Sequence, residues 1–527
     1  MCGILAVLYS GKGRYPIDKI NKGMAKIVAR GPEGSRTKEL SNAVFGFTRL
    51  AINGLSDAGM QPFNSPMGTW MCNGEIYNSA AIEKQLGFIS HGSDCEVLGA
   101  LWSSLKDPVA FCRALDGVFC VALYDQAADM YLIARDPYGV RPLYYAEDRF
   151  YGMVFASERK ALEAIVDVKV YEFPPGEVWS ITEGVCVKEV YHTVPWIKNQ
   201  GLNGNDFRSA ICASLVAAVS KRLMTERPVA ALLSGGLDSS LIAALVQTQL
   251  KARDLPPLKT FSIGMAGSSD LKHAREVADW IKSDHHEVVV TADEMFAAIP
   301  DVIRDVESYD ITTIRASVGN WLIAREVAKT DCKVVFNGDG SDEVWGSYLY
   351  FFKAPNDYAF EADSVRLLKE MHRYDVLRSD RSISSHGLEA RTPFLDKQFV
   401  ATAMAVPTGL RRPSVTRIEK NLLREAFDYG LLPESVLWRK KEAFSDGVSS
   451  TEKSWFQEIQ ERVLGLIPAD WETQAAAFAE PKPKAPEAFY YRSLYEKFYT
   501  KTGDYWPFWM PRWSPETTDP SARTLVL

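Results

Sequence analysis

Short apolar runs separated by turn-forming residues dominate the first part of the chain. Ile4–Leu8, Ala43–Thr48, Thr69–Cys72, Gly117–Tyr124, Met130–Ala134 and Phe150–Ala156 predict strands. Apolar residues at helical spacing predict helices over Ile17–Arg30, Asn78–Leu86 and Asp94–Leu105. The mixture predicts an α+β domain of packed sheets over residues 1–195. Val194 to Gly204 is polar and Gly/Asn-rich and reads as a linker. From residue 205 the texture changes: helix Phe207–Thr225, strand Val229–Leu233, helix Ser239–Gln249, strand Lys259–Ile263, helix Leu271–Lys282, then strands Glu287–Val290 and Lys333–Phe336. Alternating strands and helices imply a parallel α/β sheet with ligands at the carboxyl ends of its strands. Beyond residue 355 the pattern is mainly helical, and Ala475–Pro486 reads as a flexible segment inside a second domain spanning 205–527.

Composition sharpens this picture mainly by exclusion. Hydrophobic residues make up 46% and charged residues 24%, ordinary values for a soluble globular protein. A net charge of −7 argues against bulk attraction to nucleic acid. Eight scattered cysteines without a CxxC pair form neither a disulfide framework nor a zinc site and suit a reducing cytosol. No apolar stretch reaches the roughly 18 residues of a membrane span, and the N-terminus lacks the basic region of a signal peptide. The expectation is a cytosolic protein without membrane or nucleic-acid partners.

Candidate chemistry begins at Cys2, which becomes the first residue once Met1 is cleaved and then carries both a thiol and a free α-amine. A terminal amine titrates near ~7.7–8.0, so it can act as a base toward the thiol. By position alone Cys2 also fits as a small apolar residue at a frayed terminus. Asn73-Gly74-Glu75 sits at a strand-to-helix turn, where an amide side chain and a glycine N–H can form an oxyanion hole. Arg49 offers a carboxylate clamp and Asp94 an ammonium acceptor. Together these describe a pocket for a zwitterionic amino acid with a carboxamide, and glutamine fits.

In the second domain, Leu233-Ser234-Gly235-Gly236-Leu237-Asp238-Ser239-Ser240 lies between a buried strand and a helix start. Its glycines, hydroxyls and free helix N–H groups suit an anion, yet it lacks the lysine of a Walker A loop. Asn337-Gly338-Asp339-Gly340-Ser341-Asp342-Glu343 follows another strand and is read as a substrate and Mg·ATP loop facing the first, because its spacing does not fit a calcium loop. Thr312, Thr313 and Arg315 can bind a carboxylate. Arg439–Gly447, which contains Lys441, is either functional or a solvated charged face. His285-His286 is read as non-metal, since neighbours on a strand point apart, and the Trp506–Trp513 tail is read as packing.

SGGLDSS resembles the PP-loop of ATP pyrophosphatases. With MCGILAV, ARGPEG, RLAI, NGEIYN, GSDCEV, FASERKAL, FPPGE, TFSIGM, SYDITTIRAS, GDGSDEVWG, LEARTPFLDK, KKEAFSDGV and EAFYYRS in order, the chain resembles glutamine-hydrolysing asparagine synthetases over nearly its whole length. The tail WMPRW…TDPSARTL resembles the eukaryotic-type form. The resemblance implies an N-terminal nucleophile (Ntn) hydrolase domain of layered antiparallel sheets, a class II glutamine amidotransferase, feeding an α/β PP-loop synthetase domain with a helical C-terminal part. It implies Cys2 as nucleophile, Asn73 and Gly74 as oxyanion hole, and Arg49, Leu50, Ala51, Ile52, Asn53, Glu75 and Asp94 around glutamine. Ammonia would pass through a tunnel to β-aspartyl-AMP formed from aspartate and ATP. ATP would contact Leu233, Ser234, Gly235, Gly236, Asp238, Ser239, Ser240, Ile263, Asn337 and Gly338. Lys441 would stabilise the phosphates and Asp339 would serve the aspartyl-AMP step. Asp238 and Asp342 would hold Mg²⁺, and Thr312, Thr313 and Arg315 would contact aspartate or phosphate. Oligomeric state stays open between one chain and a homodimer. Three departures stand out: Asp339 where the family has glutamate, Phe47-Thr48 where it has His-Glu, and His386 where tryptophan is common. A β-lactam-synthetase-like relative and a non-catalytic sensing protein on the same fold are the alternatives. Release of AMP, diphosphate and asparagine separates them.

Overall fold

The computed structural model describes residues 1–195, 204–449 and 453–521, so most of the expected linker lies outside the described residues. The N-terminal part contributes twelve strands: β1 (Gly3–Tyr9), β2 (Gly34–Glu39), β3 (Ala43–Arg49), β4 (Phe63–Ser65), β5 (Gly68–Ile76), β6 (Gly117–Asp125), β7 (Met130–Arg135), β8 (Tyr144–Asp148), β9 (Gly152–Ala156), β10 (Val170–Glu172), β11 (Glu177–Thr182) and β12 (Val185–Val190). They form two six-stranded antiparallel sheets, ordered β10-β8-β9-β1-β3-β2 and β12-β11-β7-β6-β5-β4.

The unbroken apolar run at the start of the chain follows from layering. Ile4, Ala6 and Leu8 face the second sheet and pack with Phe45, Phe47, Met71 and Trp179. Leu5 and Val7 face the opposite way, onto Ile20, Met24 and Leu162 of covering helices. A strand buried on both faces has no polar face to alternate with, which is why β1 reads as continuous. Helices Val97–Leu105 and Pro108–Ala114 cover the outside of the second sheet through Leu98, Leu101 and Phe111 against Trp70 and Cys72. Strands β2, β4, β8, β10, β11 and β12 escape the apolar pattern because they are short or half-exposed. β2 is the polar edge Gly-Ser-Arg-Thr-Lys-Glu.

The C-terminal part holds β13 (Val229–Leu232), β14 (Lys259–Gly264), β15 (Asp284–Val289), β16 (Val334–Phe336) and β17 (Glu389–Arg391) in one parallel sheet, ordered β15-β14-β13-β16-β17. Helices Leu237–Ala252 and Ile311–Val327 cover its two faces, with Ala231 and Phe336 packed on one side and Ala230 and Val335 on the other. Asp310 starts the second helix by accepting the Thr313 N–H at 2.8 Å. Strand β15 begins at Asp284, so both histidines lie within it. His285 bonds the Thr260 and Ser262 hydroxyls at 2.9 and 3.1 Å, and His286 stacks on Phe261. The Trp506–Trp513 tail packs as expected: the Tyr309 hydroxyl donates to the Trp506 carbonyl at 2.6 Å, and Trp513 lies on Tyr350 and Phe351. Within 475–486, Phe478 packs on Phe489, and Arg492 donates to the Ala479 and Pro481 carbonyls at 3.4 and 3.3 Å.

The two parts meet over a buried belt of charge. Arg30 donates to Glu158 at 2.9 Å and to Asp380 at 2.8 Å, and Arg381 pairs with Glu158 at 2.8 Å and Glu307 at 3.0 Å. Beside this belt an apolar cluster joins Leu50, Ile52 and Val118 of the first part to Leu233 and Phe336 of the second.

Candidate functional site

Two cavities gather most of the expected site residues. The first surrounds Cys2, at the amino end of β1, and holds Arg49, Leu50, Ala51, Ile52, Asn53, Gly74, Glu75 and Asp94. The loop following β3 supplies residues 50–54, β5 supplies Gly74 and Glu75, and the turn after Ser93 supplies Asp94. Gly74 is demanded by a close crossing, since a Cβ there would sit 2.0 Å from the Val118 carbonyl oxygen. Asn73, next to Gly74 on β5, is not among the lining residues and is fully buried, with Nδ2 3.5 Å from the Ser157 hydroxyl. Its Oδ1 has no hydrogen-bond partner among the described residues.

The electrostatics of this cavity are set by burial. With Met1 present, its ammonium donates to the Leu388 carbonyl at 3.0 Å, and burial lowers its pKa to about 5. Burial pushes the Cys2 thiol up to about 11, while its Sγ lies 3.5 Å from the Leu50 carbonyl. Arg49 turns its fork onto the carbonyls of Ser56, at 2.8 Å, and Gly54. Burial raises Asp94 to about 6, although it accepts the Ile76 N–H at 2.7 Å. Glu75 accepts from Asn53 at 2.8 Å and pairs with Arg391 at 3.3 Å. Glu389 of β17 also lines this cavity. It is buried, but Arg391 and Arg141 outweigh that and hold its carboxyl at about 2. No local sequence signal connects Glu389 or Arg391 with residue 75, because the contact exists only after the two sheets dock.

The second cavity, about 250 Å³, opens at the carboxyl ends of β13, β14 and β16. Leu233, Ser234, Gly236, Asp238, Ser239, Ile263, Asn337, Gly338, Asp339, Asp342 and Lys441 all line it. Helix Leu237–Ala252 starts from Gly236 with no side-chain cap, leaving its first N–H groups free for an anion. The Ser234 and Ser239 hydroxyls are 3.0 Å apart beside them. The two loops touch at Gly338, where a Cβ would meet the Ser239 nitrogen at 2.7 Å.

Asp238 and Asp342 converge on one cation, with Lys420 Nζ 2.6 Å from each and Lys441 Nζ 2.5 Å from Asp342. Despite burial, these lysines hold Asp342 well below the usual carboxylate range. Asp339 is raised by burial against the pull of Arg378, whose Nη2 is 3.1 Å away. Arg378 also donates to Asp375 at 2.6 Å, and the Tyr348 hydroxyl stands 2.6 Å from Glu343 and 2.5 Å from Asp375.

Two expected contacts, Ser240 and Gly235, fall outside the lining of this cavity. Ser240 points into the core, fully buried, because it lies on the inward face of its helix. Gly235 does not line the cavity. Its φ of +71° turns the loop, and a Cβ there would meet the Ala274 nitrogen at 2.5 Å. Arg315 lines the cavity, and its fork also bonds Glu487, at 2.8 and 2.5 Å, and Asp519, at 2.8 and 2.7 Å, tying the C-terminal tail to it. Thr313 lines the cavity as well, and its hydroxyl donates to the capping carboxylate of Asp310 at 2.8 Å. Thr312 lines the cavity, and its hydroxyl has no partner among the described residues. Arg378, Lys420 and Tyr348 were missed from sequence, and Glu343 was read only as part of its loop. Only the Asp375/Arg378 spacing of one helical turn offered a signal.

Three neighbours fill out the departures. Phe47 is fully buried between the sheets and touches the Cys2 cavity. Thr48 donates to the Ile27 carbonyl at 3.2 Å. His386 packs its ring against Trp321, and burial lowers it to about 4.

Comparison with known proteins assigns a family to each half of the chain. A glutamine amidotransferase domain model matches residues 1–181, and an asparagine synthase model matches 210–363 and 354–519. Asparagine synthetase [glutamine-hydrolyzing] from Cricetulus griseus is 41% identical over 565 aligned residues, covering 100% of this chain and 99% of the relative. The Homo sapiens protein of that name is 40% identical over 564, with the same coverage.

Proposed function

The chain belongs to the glutamine-hydrolysing asparagine synthetases, and we propose that it makes asparagine from aspartate, glutamine and ATP by coupling its two cavities. The carrying observation is that one chain holds a cavity around Cys2 lined by Arg49, Glu75 and Asp94 and a second at an uncapped helix start, and that Leu50 and Ile52 of the first and Leu233 of the second belong to one apolar cluster.

In the first cavity, loss of Met1 places a free amine on Cys2. The amine takes the thiol proton and the thiolate attacks the glutamine amide carbon. The Gly74 N–H and the Asn73 amide stabilise the tetrahedral oxyanion. Ammonia leaves, and water hydrolyses the glutamyl-thioester to glutamate. Arg49 and Asp94 hold the α-carboxylate and α-ammonium, and Leu50, Ala51, Ile52, Asn53 and Glu75 enclose the side chain. The apolar cluster shared by Leu50, Ile52 and Leu233 suits passage of uncharged ammonia and disfavours ammonium.

In the second cavity, the free N–H groups after Gly236 and the hydroxyls of Ser234 and Ser239 hold the leaving diphosphate, with Leu233, Ile263, Asn337 and Gly338 around the nucleotide. The aspartate β-carboxylate attacks the α-phosphorus, giving β-aspartyl-AMP, and ammonia displaces AMP. Lys441 and Lys420 offset phosphate charge electrostatically. Arg378 and Thr312 are the donors we assign to aspartate, with Asp339 and Asp375 beside its reacting end. The donor set fits Mg²⁺: Asp238 and Asp342 offer hard oxygens that already share a cation, the Lys420 ammonium. Bound with ATP, Mg²⁺ would shield phosphate charge there. Eight unpaired cysteines support a cytosolic setting.

The test is Cys2→Ala. Asparagine formation from glutamine should vanish while formation from ammonium salts, with AMP and diphosphate, continues. Loss of both from a folded variant would sink the two-site reading.

A further inference from the structure

The loop that frames the Cys2 cavity, residues 50–54, is not held by its own half of the molecule alone. Two residues just ahead of β13 clamp it. Arg227 donates Nε to the Ala51 carbonyl at 2.8 Å and Nη2 to Glu33 at 2.8 Å. Glu33 in turn accepts the Ala51 N–H at 2.7 Å, so Ala51 is gripped on both sides by one ion pair. Next to it, the Glu226 backbone N–H donates to the Ile52 carbonyl at 3.0 Å, and the Glu226 carboxylate accepts the Gly54 N–H at 2.5 Å. Four hydrogen bonds thus converge on the segment from Ala51 to Gly54, with the Arg227–Glu33 ion pair behind them. The Gly54 carbonyl is also one of the two that anchor the Arg49 fork.

We propose that Arg227, with its neighbour Glu226, is a positioning residue for glutamine hydrolysis contributed by the synthetase half, holding the 50–54 loop in its binding conformation through Glu33. The inference rests on reading the Cys2 cavity as the glutamine site. Arg227 lies at the amino end of β13, whereas the phosphate-binding loop leaves its carboxyl end. The clamp therefore acts on the glutamine site from the strand that carries the other site. The Arg227 and Glu33 side chains are 28% and 29% exposed, so replacing them leaves the core intact. A carbonyl and an N–H gripped by charged partners hold their positions more firmly than neutral contacts would. Losing the clamp frees the loop that positions Arg49, which weakens ground-state binding rather than the attack itself.

The experiment measures glutamate release against glutamine concentration in the full-length chain and in Arg227→Ala, Arg227→Lys and Glu33→Gln variants. ATP dependence of ammonia-supported AMP formation and thermal midpoint are measured in parallel. The expected result for Arg227→Ala is a KM for glutamine raised about tenfold, with kcat changed less than about threefold and the KM for ATP unmoved. Glu33→Gln should raise the glutamine KM as well, the Arg227→Ala/Glu33→Gln pair should be no worse than the worse single variant, and Arg227→Lys should recover part of the loss. A wild-type glutamine KM in both single variants overturns the proposal. So does a rise in the ATP KM and a fall in thermal midpoint that track the glutamine effect, because a merely structural role would move all three. If the wild-type chain releases no glutamate from glutamine, the underlying reading of the Cys2 cavity falls instead.

Discussion

Gly338→Ala tests the contact between the two phosphate-facing loops. The added Cβ would lie 2.7 Å from the Ser239 nitrogen, 2.8 Å from the Asp238 carbonyl carbon and 2.9 Å from the Asp238 Cβ. The first two of these are backbone atoms at the start of helix Leu237–Ala252, so no rotamer change relieves them. Ordinary contact begins near 3.4 Å, so the loops must part by about 0.7 Å. Overpacking of this kind costs about 1–3 kcal/mol. Because the displaced atoms are those proposed to hold phosphate, most of that cost should fall on nucleotide binding. A loss of about 1–3 kcal/mol is roughly a 5- to 150-fold rise in the KM for ATP. The assay is ammonia-supported diphosphate release against ATP concentration, with glutamate release from glutamine as the control for the distant cavity. The variant should lose ATP affinity and keep glutaminase activity. A wild-type ATP KM would refute the placement of nucleotide between these loops, and equal loss of both activities would show global damage.

Other expectations follow from the buried charges and from the nucleophile. Asp94 is raised by burial to about 6, so it is ionised above that pH and loses its charge below it. The KM for glutamine should therefore climb as pH falls through about 6 in the wild type, and lie high and flat across that range in Asp94→Asn. Glu307 pairs with Arg381 at 3.0 Å and accepts the Arg159 and Lys160 N–H groups at 2.9 and 2.8 Å. Glu307→Ala removes one of the two carboxylates on buried Arg381 and leaves the Arg159 and Lys160 N–H groups without their acceptor, and should cost about 3–5 kcal/mol in urea unfolding; a loss below 1 kcal/mol would contradict it. Chain retaining Met1, identified by mass spectrometry, should release no glutamate, because its amine is tied to Leu388 and its thiol sits near pKa 11. Asp339→Asn should slow ammonia-supported asparagine formation by about 100-fold or more while leaving glutamate release intact; unchanged synthesis would remove Asp339 from the mechanism.

Local motifs carried much of the site and only part of the fold. β1, β3, β5, β6, β7 and β9 were legible because burial makes them densely apolar, and β13, β14 and β16 because each runs straight into a loop or helix. The polar edge β2 and the three-residue β17 were not, since pairing partners rather than side-chain pattern define them. The Cys2, Gly74 and Asp238 neighbourhoods were readable as motifs, each a short stretch whose backbone or hydroxyls do the chemistry. Glu389, Arg391, Lys420 and Arg378 were not, because each acts on a residue far away in sequence. Arg315 shows what sequence leaves out: it lines the second cavity beside its two threonines, but Glu487 and Asp519, 172 and 204 residues away, also engage its fork. Asp339 is also clearer in context. Its side chain is one methylene shorter than the family glutamate, yet it meets the Arg378 guanidinium at 3.1 Å, so charge at that point is held by an arginine that sequence did not single out.

The central claim is that ammonia made at Cys2 is used at the second cavity of the same chain. It is tested by supplying glutamine labelled with ¹⁵N at the amide, together with excess unlabelled ammonium, aspartate and ATP, and reading isotope in the asparagine formed. The account predicts asparagine amide enriched far above the isotope fraction of the bulk ammonium, with one AMP and one diphosphate per asparagine. Asparagine carrying only the bulk isotope fraction would contradict it.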